Sequence, residues 1–592
     1  MFYFTGLALS GADAPALPKG ELSYCLRYVG GRIGRGAELG GFQHLDACGL
    51  KRVAEGGGIA GLMTAIRAAE LGLKVIVADK SNVRYSGAGA TGNDHFQCYI
   101  PEYHGDDFNA WIEEFQTGQQ ATIRDIKFIR TWLSRSFEIV KLWDAWGIPM
   151  KYDGRWEFAG HGMPGDMLNH LHYAGKHQKR ILENEARRRG AVIINRVMCV
   201  DLLKEGERVC GAVGISTRDD AVHVFRAGGV ALGTGSAIRL YPGCTPSCLF
   251  NARLCPNCVG DGRAMAFRAG ADMASLEIPV FRCGPVYFAR AGKATWGGVL
   301  RDPQGTPVGP FVTRPDNRYG DPVVDVYQDI FMDYRDSARG PVYMDCTGLD
   351  REGVEYMTHW LENEGNCGIL DFFKKEGLDI GSTPVEFRSY DRELSPRGGI
   401  LYDENARTSL KGLYAAGDEF FGGISCAAVF GWVAGESAAQ DIKALGNRPE
   451  ASEPESLTLE LLRAIRGRER DTRHATWQEA NCAIQQIMGD YAGIPRSENM
   501  LKAGADNLER IARRARATLA AGNPHELARC AEVLNLLEVG ALILHAARER
   551  RETRAKHIRK DFPFTNPHLN KLLVLRRENG ETQVEWRAVR KR

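Results

Sequence analysis

The chain has 592 residues, of which 44% are hydrophobic and 25% charged, and its 76 Lys and Arg residues against 74 Asp and Glu residues give a formal net charge of +2. This balance excludes a generally basic nucleic-acid binder and an acidic disordered chain, and the lack of an uncharged apolar run of about 18 residues argues against a membrane span. The length allows several domains of about 100–200 residues each. Glycine is in excess, with 68 residues, which predicts many tight turns and close approaches of backbone to a ligand.

The cysteines bear on the cellular compartment. There are 15, an odd number scattered through the chain, which is unlike the dense framework of a small secreted domain. The first 16 residues contain an apolar patch, but no basic residue precedes it as in a secretory signal. We therefore expect a cytoplasmic protein with reduced thiols.

A turn, a helix, a strand and an acid follow one another from residue 56. The glycine-rich run Gly56–Gly61 opens a segment with apolar residues at helical spacing, which Gly72 closes. The apolar strand Val75–Ala78 follows and ends in Asp79, 23 residues after Gly56. This order and length predict a dinucleotide-binding unit.

Each position of this unit has a physical reason. Gly56 permits the tight turn, Gly58 lets the backbone approach a pyrophosphate, and Gly61 allows close helix packing. The helix N-terminus offers unpaired N–H groups to phosphates. Asp79, at the tip of the second strand, can accept hydrogen bonds from ribose hydroxyls.

The segment before Gly56 does not fit the pattern. A central strand of a parallel sheet normally reads as a continuous apolar run, but residues 50–55 include Lys51, Arg52 and Glu55. Burying these charges would be costly. Either they lie outside the core or the fold was not built around this stretch, and we expect residues 1–49 to be a poorly structured lead-in.

Three further glycine-bearing segments follow. Ser86–Gly92 is a small-residue loop against which a flat ring could lie, and the strand Gly229–Leu232 runs into Gly233–Gly235. Lys411–Asp418 is a strand that ends in a glycine and an acid. Together with the first motif they predict one cofactor site assembled from distant segments, with an inserted domain between.

The chain becomes helical from about residue 455. Leu508, Ile511, Ala515 and Leu519 lie on one helical face, and Asn523-Pro524 gives an N-cap followed by proline at the first helical position. Residues 547–592 hold 14 Lys and Arg against 6 Asp and Glu. We interpret this basic end as a solvated tail or a partner-facing surface rather than a site for an anionic substrate.

The arrangement resembles the flavoprotein subunits of the fumarate reductase, succinate dehydrogenase and adenylylsulfate reductase superfamily from Gly56 to Pro563. The late helical pieces are most similar to the adenylylsulfate reductase branch. The matching motifs are Gly56–Gly61 with Asp79, Ser86–Gly92, Gly233–Gly235, Gly260–Gly262, Gly340–Asp345, Gly398–Ile400, Lys411–Asp418, Asn523–Leu527, Arg551–Arg554 and Arg559–Pro563.

The resemblance implies an α/β fold: a Rossmann-like FAD-binding domain with a parallel sheet, an inserted α+β capping domain and a C-terminal helical domain. The implied domains are the FAD-binding domain over 50–245 and 396–445, the capping domain over 246–395, and the helical domain with its basic tail over 446–592.

The resemblance also implies where FAD lies. Asp79 would hold the adenosine diphosphate end, the loop 86–92 would follow the ring system, and Asp418 would reach the ribityl or pyrophosphate part. The full set of expected contacts is Gly56, Gly58, Ile59, Ala60, Gly61, Asp79, Lys80, Ser86, Gly87, Ala88, Thr91, Gly92, Thr234, Gly235, Asp261, Gly417 and Asp418.

Two departures from the family pattern matter. Respiratory members attach FAD through a histidine in the loop that corresponds to Ser86–Gly92, but Gly87 stands at that position here. We therefore expect FAD to be bound non-covalently. Its reduction potential should be lower than that of a covalently linked flavin, which suits a reductase. The His and Arg pair that clamps dicarboxylates is also missing, since the chain reads Leu394–Arg397 and Ile424–Val429 at those places. Fumarate or succinate is therefore not the expected substrate.

Candidates for the chemistry lie around the implied ring. Asn93, Asp94 and His95 follow the ring-facing loop, and His95 beside an acid could donate a proton, whereas the alternative is a surface pair. Arg282, Arg388, Arg392 and Arg397 flank the junction of the two domains, and of these we prefer Arg282 and Arg397 as ligands of an anion. Cys426 is a candidate redox thiol.

Four cysteines lie in one short loop. Cys244, Cys248, Cys255 and Cys258 have a C-x3-C-x6-C-x2-C spacing, which suggests zinc or an iron–sulfur cluster. The family keeps its clusters on a separate ferredoxin-like subunit, so we favour free buried or reactive thiols and expect no metal.

The leading hypothesis is a FAD-dependent oxidoreductase that transfers electrons between non-covalent FAD and a small anionic substrate. An iron–sulfur partner subunit would supply the electrons to the flavin. A self-contained flavin reductase or dehydrogenase of an unsaturated or sulfur compound, driven by a nicotinamide, is one alternative. The other is an electron-transfer subunit without its own substrate. We expect no nucleic-acid partner.

Overall fold

The computed structural model shows a three-part α/β architecture. It describes residues 42–45, 52–115, 124–158, 168–243, 254–280, 283–286, 295–309, 312–315, 329–389, 393–420, 422–445, 456–469, 471 and 473–590.

A five-stranded parallel sheet forms the centre of the FAD-binding domain. Its strands lie in the order Leu413–Ala415, Val230–Leu232, Arg52–Glu55, Val75–Asp79 and Val192–Asn195. The strand Val75–Asp79, apolar up to Ala78, is buried throughout, as a strand covered on both faces requires. Arg52–Glu55 is nevertheless the middle strand, with backbone pairing on both sides, so the alternative that the fold was not built around this stretch was wrong.

Two helices pack tightly on this sheet. Helix Ile59–Glu70 is buried along most of its length and packs against helix Ile424–Ala444. A Cβ at Gly431 would lie 2.4 Å from the carbonyl oxygen of Ala60, and one at Gly435 would lie 2.7 Å from Cβ of Arg67. These two glycines, one helical turn apart, let the helix backbones approach closely.

A second sheet extends the FAD-binding domain. Its order is Phe42–Leu45, Val222–Arg226, Arg208–Ser216 and Val197–Glu205, with the first pair parallel and the others antiparallel. Phe42–Leu45 lies inside the expected lead-in over 1–49, so that expectation was wrong for these four residues. The other residues of the lead-in lie outside the described part of the chain.

The capping domain has a separate core. Buried residues between Cys283 and Phe387, including Trp296 and Met357, pack together, whereas the residues from Val259 to Leu276 belong to the main core. We therefore propose that this domain begins near residue 283, later than 246. Its four-stranded sheet has the order Cys283–Pro285, Val385–Ser389, Val342–Asp345 and Val299–Arg301, and its helices are Ile330–Asp336, Arg351–Glu364 and Cys367–Glu376.

The C-terminal part begins with four helices. They span Leu457–Gly467, Trp477–Tyr491, Glu498–Thr518 and Pro524–Glu549. The predicted cap is confirmed, because Asn523 Oδ1 accepts a hydrogen bond of 2.9 Å from the Glu526 N–H group. Leu508, Ala515 and Leu519 are buried as their spacing predicted, whereas Ile511, the fourth residue of that face, is half-buried.

Beyond Glu549, the described part of the basic end (550–590) contains a strand hairpin and no α-helix, so it is not a solvated tail; a partner-facing surface stays a prediction. Strands Lys571–Glu578 and Glu581–Ala588 form a hairpin that joins Met273–Ala274 and Gly399–Ile400 in one sheet. Part of the positive charge is buried: Arg550 Nε lies 2.6 Å from Glu277 Oε1, and neither side chain is exposed. These cations stabilise the junction of the C-terminal part with the main core.

The other elements connect these units. Among the described residues no helix is both long enough and apolar enough to cross a membrane. The remaining helices are Pro101–His104, Phe108–Glu114, Ile126–Ala145, Gln178–Arg188 and Asp261–Ala269, and the remaining strands are His95–Gln97, His170–His172, Pro279–Val280 and Ser395–Pro396.

Candidate functional site

The glycine-bearing strand ends meet at one edge of the central sheet. Strands 52–55, 230–232 and 413–415 are parallel neighbours, so Gly56, Gly233 and Gly417 follow them at the same edge. Gly56 has φ +84°, and a Cβ there would lie 2.5 Å from the Gly233 carbonyl oxygen. The prediction that distant glycine segments form one site is supported by this contact.

Asp79 connects three parts of the site. Its Oδ2 accepts hydrogen bonds from the Gly57 N–H group at 2.8 Å and from Ser86 Oγ at 2.9 Å. Its Oδ1 accepts one from the Ser81 N–H group at 2.7 Å. The buried carboxylate therefore fixes the glycine turn and the Ser86 loop against the end of its strand.

The first helix presents an uncapped N-terminus. Gly58 is its N-cap residue, has no side-chain cap, and no acidic residue occupies the first turn. Ile59, Ala60 and Gly61 are buried, and a Cβ at Gly233 would lie 2.8 Å from the Gly61 nitrogen. Unpaired N–H groups and the helix dipole at this end suit a phosphate group.

The loop 86–92 lies between two helix N-termini. Ala88–Thr91 forms a single 3₁₀ turn, flanked by Gly87 at φ +81° and Gly92 at φ +116°. A Cβ at Gly89 would lie 2.5 Å from Cδ1 of Ile59 and 3.3 Å from Cδ1 of Ile424. The loop is therefore held by the first residues of both helices, where only small residues fit.

The glycine segments that follow strands 230–232 and 413–415 contact each other through Glu419. The Thr234 N–H group and Oγ1 donate to Glu419 Oε1 at 2.6 and 2.5 Å, and the Gly262 N–H group donates to Thr234 Oγ1 at 2.9 Å. Gly235 and Gly417 have φ +85° and +66°. Asp418 Oδ1 accepts a hydrogen bond of 3.2 Å from the Gly423 N–H group, at the start of helix 424–444.

Glu419 gives a prediction about pH. Burial raises the pKa of Glu419 from 4.5 to about 7, although Arg263 and the Thr234 hydrogen bonds lower it. The free energy that this group adds to folding is present below pH 4.5 and is lost as the pH rises to 7. We expect the stability of the wild type, relative to Glu419→Gln, to fall by about 2 kcal/mol between about pH 5 and pH 8.

The measurement is urea unfolding of both proteins at the two pH values. Exposed Glu376 provides the matched control: Glu376→Gln should show no such pH-dependent difference. A Glu419→Gln difference that stays constant with pH would contradict the prediction.

Lys80 and Asp261 belong to a buried charge network. Lys80 Nζ lies 2.6 Å from Asp261 Oδ2 and 2.8 Å from Glu532 Oε1, and Glu532 Oε2 lies 2.6 Å from Arg239 and 2.7 Å from Arg529. Burial would lower the pKa of Lys80, but the two carboxylates outweigh it and raise the pKa. Sequence reasoning missed Glu532, because it lies 452 residues from Lys80.

A basic pocket opens beside this network. Its cavity volume is about 80 Å³, and it continues from the end of strand 75–79. Four of its residues are cationic and one is a carboxylate, so it favours an anionic or polar group. Its lining residues are Lys80, Ser81, Arg196, Thr217, Arg218, Asn257, His525, Ala528, Arg529 and Glu532.

Lys179 is a further cation that sequence reasoning missed. It is buried, and its Nζ donates to the carbonyl oxygen of Gly57 in the glycine turn. Burial lowers the pKa of Lys179 to about 8, against the opposite effect of Asp79 and Glu183. No local pattern marks it, since a lysine at a helix start is usually exposed.

His95 forms an ion pair with Asp94. His95 Nδ1 lies 2.6 Å from Asp94 Oδ1, and Thr295 Oγ1 of the capping domain donates to Asp94 Oδ2 at 2.6 Å. Burial would raise the pKa of Asp94, but the charge and hydrogen bond of His95 outweigh it and lower the pKa. The pair is therefore not an isolated surface pair, because it lies where the two domains meet.

Arg397 lies near a second guanidinium. Arg124 Nη2 donates to the carbonyl oxygens of Phe420 at 3.1 Å and Arg397 at 3.3 Å, and its guanidinium lies 3.9 Å from the ring centre of Phe420. Burial, followed by the charge of Arg397, lowers the pKa of Arg124 to about 9. Sequence reasoning missed Arg124. Arg282, the other preferred arginine, lies outside the described residues.

The cysteine candidates differ in environment. Cys426 is fully buried, and burial raises its pKa well above the usual value, which disfavours a reactive thiolate. Cys255 is partly exposed and Cys258 is buried, beside the site, and both are free thiols. Cys244 and Cys248 lie outside the described residues, so the expected absence of metal stays a prediction.

The residues at this edge fit FAD. Glycines whose Cβ would collide with backbone leave the surface that a dinucleotide needs, and the uncapped helix suits its pyrophosphate. Asp79 would hold the ribose, the cations around Lys80 and Lys179 would balance the phosphates, and the loop 86–92 would contact the ring. Such a sheet and site define a FAD-binding oxidoreductase.

Comparison with known proteins supports this class. The family model described as FAD binding domain matches residues 53–431, and the one described as Fumarate reductase flavoprotein C-term matches residues 481–592. The chain belongs to this FAD-binding flavoprotein family, in which fumarate reductase and succinate dehydrogenase subunits are found. The resemblance inferred from the motifs, the α/β fold and FAD as cofactor are thereby confirmed.

Individual relatives show the extent of the similarity. A fumarate reductase (CoM/CoB) subunit of Methanothermobacter marburgensis is 30% identical over 67% of this chain and 72% of its own length. L-Aspartate oxidase of Pseudomonas aeruginosa is 27% identical over 69% and 78%. The structure of adenylylsulfate reductase from Archaeoglobus fulgidus aligns with a TM-score of 0.78 at 20% identity over 91% and 95%, which supports the fold alone.

Proposed function

We propose that this flavoprotein transfers electrons between non-covalently bound FAD and a small anionic substrate, with an iron–sulfur protein as its electron partner. The observation that carries the proposal is the convergence of a histidine–aspartate pair and two arginines near the N-terminus of helix 424–444. When bound, FAD supplies the two-electron chemistry. The protein supplies the anion site and the proton.

Hydrogen bonds at Ser425 connect this helix to the proton donor. Ser425 Oγ donates to the carbonyl oxygen of Gln97 at 2.5 Å, and Trp132 Nε1 donates to Ser425 Oγ at 2.9 Å. Gln97 ends the strand that begins with His95. The next helix residue, Cys426, contacts Tyr402, and both lie near Arg124. The strand that carries His95 and the two arginines therefore both lie close to the start of helix 424–444.

The arginines favour an anion. Arg124 and Arg397 repel each other, and the burial of Arg124 increases the cost of its charge. An anion between or beside them would relieve this cost, and guanidinium groups match carboxylate, sulfate or phosphate oxygens in a bidentate way. The substrate class that fits is a small carboxylate or an oxyanion of sulfur or phosphorus.

The pair of His95 and Asp94 would donate the proton that the substrate needs on reduction. Asp94 Oδ1 accepts a hydrogen bond from His95 Nδ1 and orients the imidazole, which we propose as the group that donates a proton to the substrate. Thr295 holds the other oxygen of Asp94, so the position of the pair depends on the capping domain.

Two observations support the rest of the proposal. Gly87 has no side chain that could bond to the flavin, which supports non-covalent binding. The relative from Methanothermobacter marburgensis is named as one subunit of a fumarate reductase, which supports a partner subunit here. A self-contained reductase and an electron-transfer subunit without its own substrate are the alternatives.

An anaerobic titration tests the proposal. The reduced flavoprotein is mixed with enoates and sulfur oxyanions, and reoxidation is followed by flavin absorbance; at least one of these anions should reoxidise it. Bleaching of the oxidised protein by NADH or NADPH alone would favour the self-contained reductase. No reoxidation by any anion would favour the electron-transfer subunit.

Arg397 provides a mutational prediction. Arg397→Gln removes a charge-assisted contact worth about 1.5–3 kcal/mol, so we expect kcat/KM for the anion to fall by about 10–100-fold. FAD content should not change. The control is Arg351→Gln, because Arg351 is exposed on a capping-domain helix. Wild-type kcat/KM in Arg397→Gln would show that Arg397 does not bind the substrate.

A further inference from the structure

The segment Cys255–Cys258 holds two free thiols in one turn. The Cys258 N–H group donates to the Cys255 carbonyl oxygen at 3.0 Å, and the two side chains are in hydrogen-bond contact. Cys255 is partly exposed, whereas Cys258 is 6% exposed. An accessible thiol next to a buried one is the arrangement of an attacking and a resolving cysteine.

The surroundings of Cys255 favour its thiolate. Its Sγ receives hydrogen bonds from Cys258 and from the backbone N–H groups of Asn257 and Gly87, with the Lys80 charge nearby. The Cys258 contact is the largest of these effects, and together they outweigh burial and lower the pKa of Cys255 to about 6. The same contact, together with burial, raises the pKa of Cys258.

Two fully buried cysteines of the described chain, Cys98 and Cys346, differ from Cys255. Burial raises the pKa of both Cys98 and Cys346 to about 12. Cys98 has Ser136 as its main compensating contact and Cys346 has the backbone of Gly298. The donors around Cys255 are therefore a local feature of its turn and not a general property of the fold.

The turn also contacts two segments of the FAD site. Gly87, whose N–H group faces Cys255, belongs to the loop 86–92. A Cβ placed on Gly235 would lie 3.1 Å from Cys258 Sγ. The thiols therefore lie between the loop 86–92 and the glycine end of strand 230–232.

We propose that Cys255 and Cys258 form a redox-active dithiol–disulfide pair at the edge of the FAD site, oxidised by a low-molecular-weight disulfide. The Cys255 thiolate attacks this disulfide, a mixed disulfide forms, and one thiol leaves. Cys258 then attacks the Cys255 sulfur, the internal disulfide forms, and the second thiol leaves. The pair loses two electrons and two protons, and the two released thiols gain them.

Oxidation has a structural consequence. The Cys255 sulfur can no longer act as an anionic acceptor for the Gly87 N–H group, so the loop 86–92 loses a contact. The redox state of the pair should therefore change flavin fluorescence or FAD affinity. This inference does not depend on which substrate the flavoprotein uses.

The test uses the full-length, FAD-loaded protein and glutathione disulfide. Trypsin releases residues 254–263 as one peptide that contains both cysteines and no others. After incubation, alkylation and mass spectrometry, we expect this peptide two hydrogen masses lighter and without alkyl groups; dithiothreitol should restore two alkylation sites. Iodoacetamide should label Cys255 about 10-fold faster at pH 7 than the exposed Cys367.

Two variants assign the roles. In Cys258→Ser the mixed disulfide of Cys255 with glutathione should accumulate, because the resolving thiol is absent. In Cys255→Ser the buried Cys258 should stay unmodified. Cys367→Ser, a change of an exposed thiol, should leave the internal disulfide intact. The wild-type peptide gives the primary result even if one variant does not fold.

Two results would overturn the proposal. One is a wild-type peptide that stays in the dithiol form while Cys367 reacts with glutathione disulfide. The other is one equivalent of zinc or iron in the purified protein that is lost in Cys255→Ser, which would make the thiols metal ligands.

Discussion

Replacing His95 by Gln is expected to lower kcat by about 10²-fold, because the substrate would lose the imidazole that donates its proton. The structure places His95 in contact with Asp94, and Thr295 holds that aspartate from the capping domain. FAD should still bind, since the glycine turns at the edge of the central sheet are unchanged in this variant. The measurement is the rate of flavin reoxidation by the anion that the titration identifies.

The pH dependence of kcat distinguishes the loss of a proton donor from a packing defect in His95→Gln. Loss of a proton donor should remove one ionisation from the pH dependence of kcat, whereas a packing defect should lower the rate equally at all pH values. His568→Gln is the control, because His568 is exposed near the C-terminal hairpin. Wild-type kcat in His95→Gln would show that the proton comes from elsewhere.

Replacing Gly56 by Ala is expected to weaken FAD binding by more than about 100-fold, or about 2.8 kcal/mol. Its Cβ would lie 2.5 Å from the Gly233 carbonyl oxygen, so two strand ends must separate where the dinucleotide lies. The positive φ of residue 56 adds a conformational cost of about 1–2 kcal/mol for alanine at this position. FAD affinity measured by flavin fluorescence on titration is the readout.

A matched substitution at Gly72 separates the effect of the clash with Gly233 from the effect of the positive φ. It has φ +83°, almost the same as Gly56, but a Cβ there would meet nothing within 4 Å. Gly72→Ala should therefore cost stability through the backbone penalty alone and leave FAD affinity within about twofold. Equal FAD affinities of the two variants would show that contact with Gly233 is unimportant.

The fold could largely be predicted from the sequence because its signals are local. Glycine runs, a buried strand ending in Asp79 and the cap at Asn523 each occupy a few consecutive residues. Arg52–Glu55 could not be predicted in this way, since its place depends on pairing with Val75–Asp79 and Val230–Leu232. The C-terminal hairpin was missed for the same reason.

The site was predicted less completely, because side chains come to it from distant segments. Arg124 donates to the carbonyl oxygen of a residue 273 positions away, and Lys179 to one 122 positions away. Neither lies in a motif. The acidity of the Cys255 thiol likewise depends on the backbone of Gly87, which the cysteine spacing alone does not reveal.

The C-terminal hairpin has a consequence for biosynthesis. Strand Met273–Ala274 lies between Gly399–Ile400 and Lys571–Glu578, and Arg590 Nε lies 2.5 Å from Asp125 Oδ2. A nascent chain emerges from the ribosome N-terminus first, so this sheet cannot be completed until residue 588 has been translated, long after residues 273–274. Synthesis that stops before this hairpin leaves an open sheet edge that exposes the chain to aggregation.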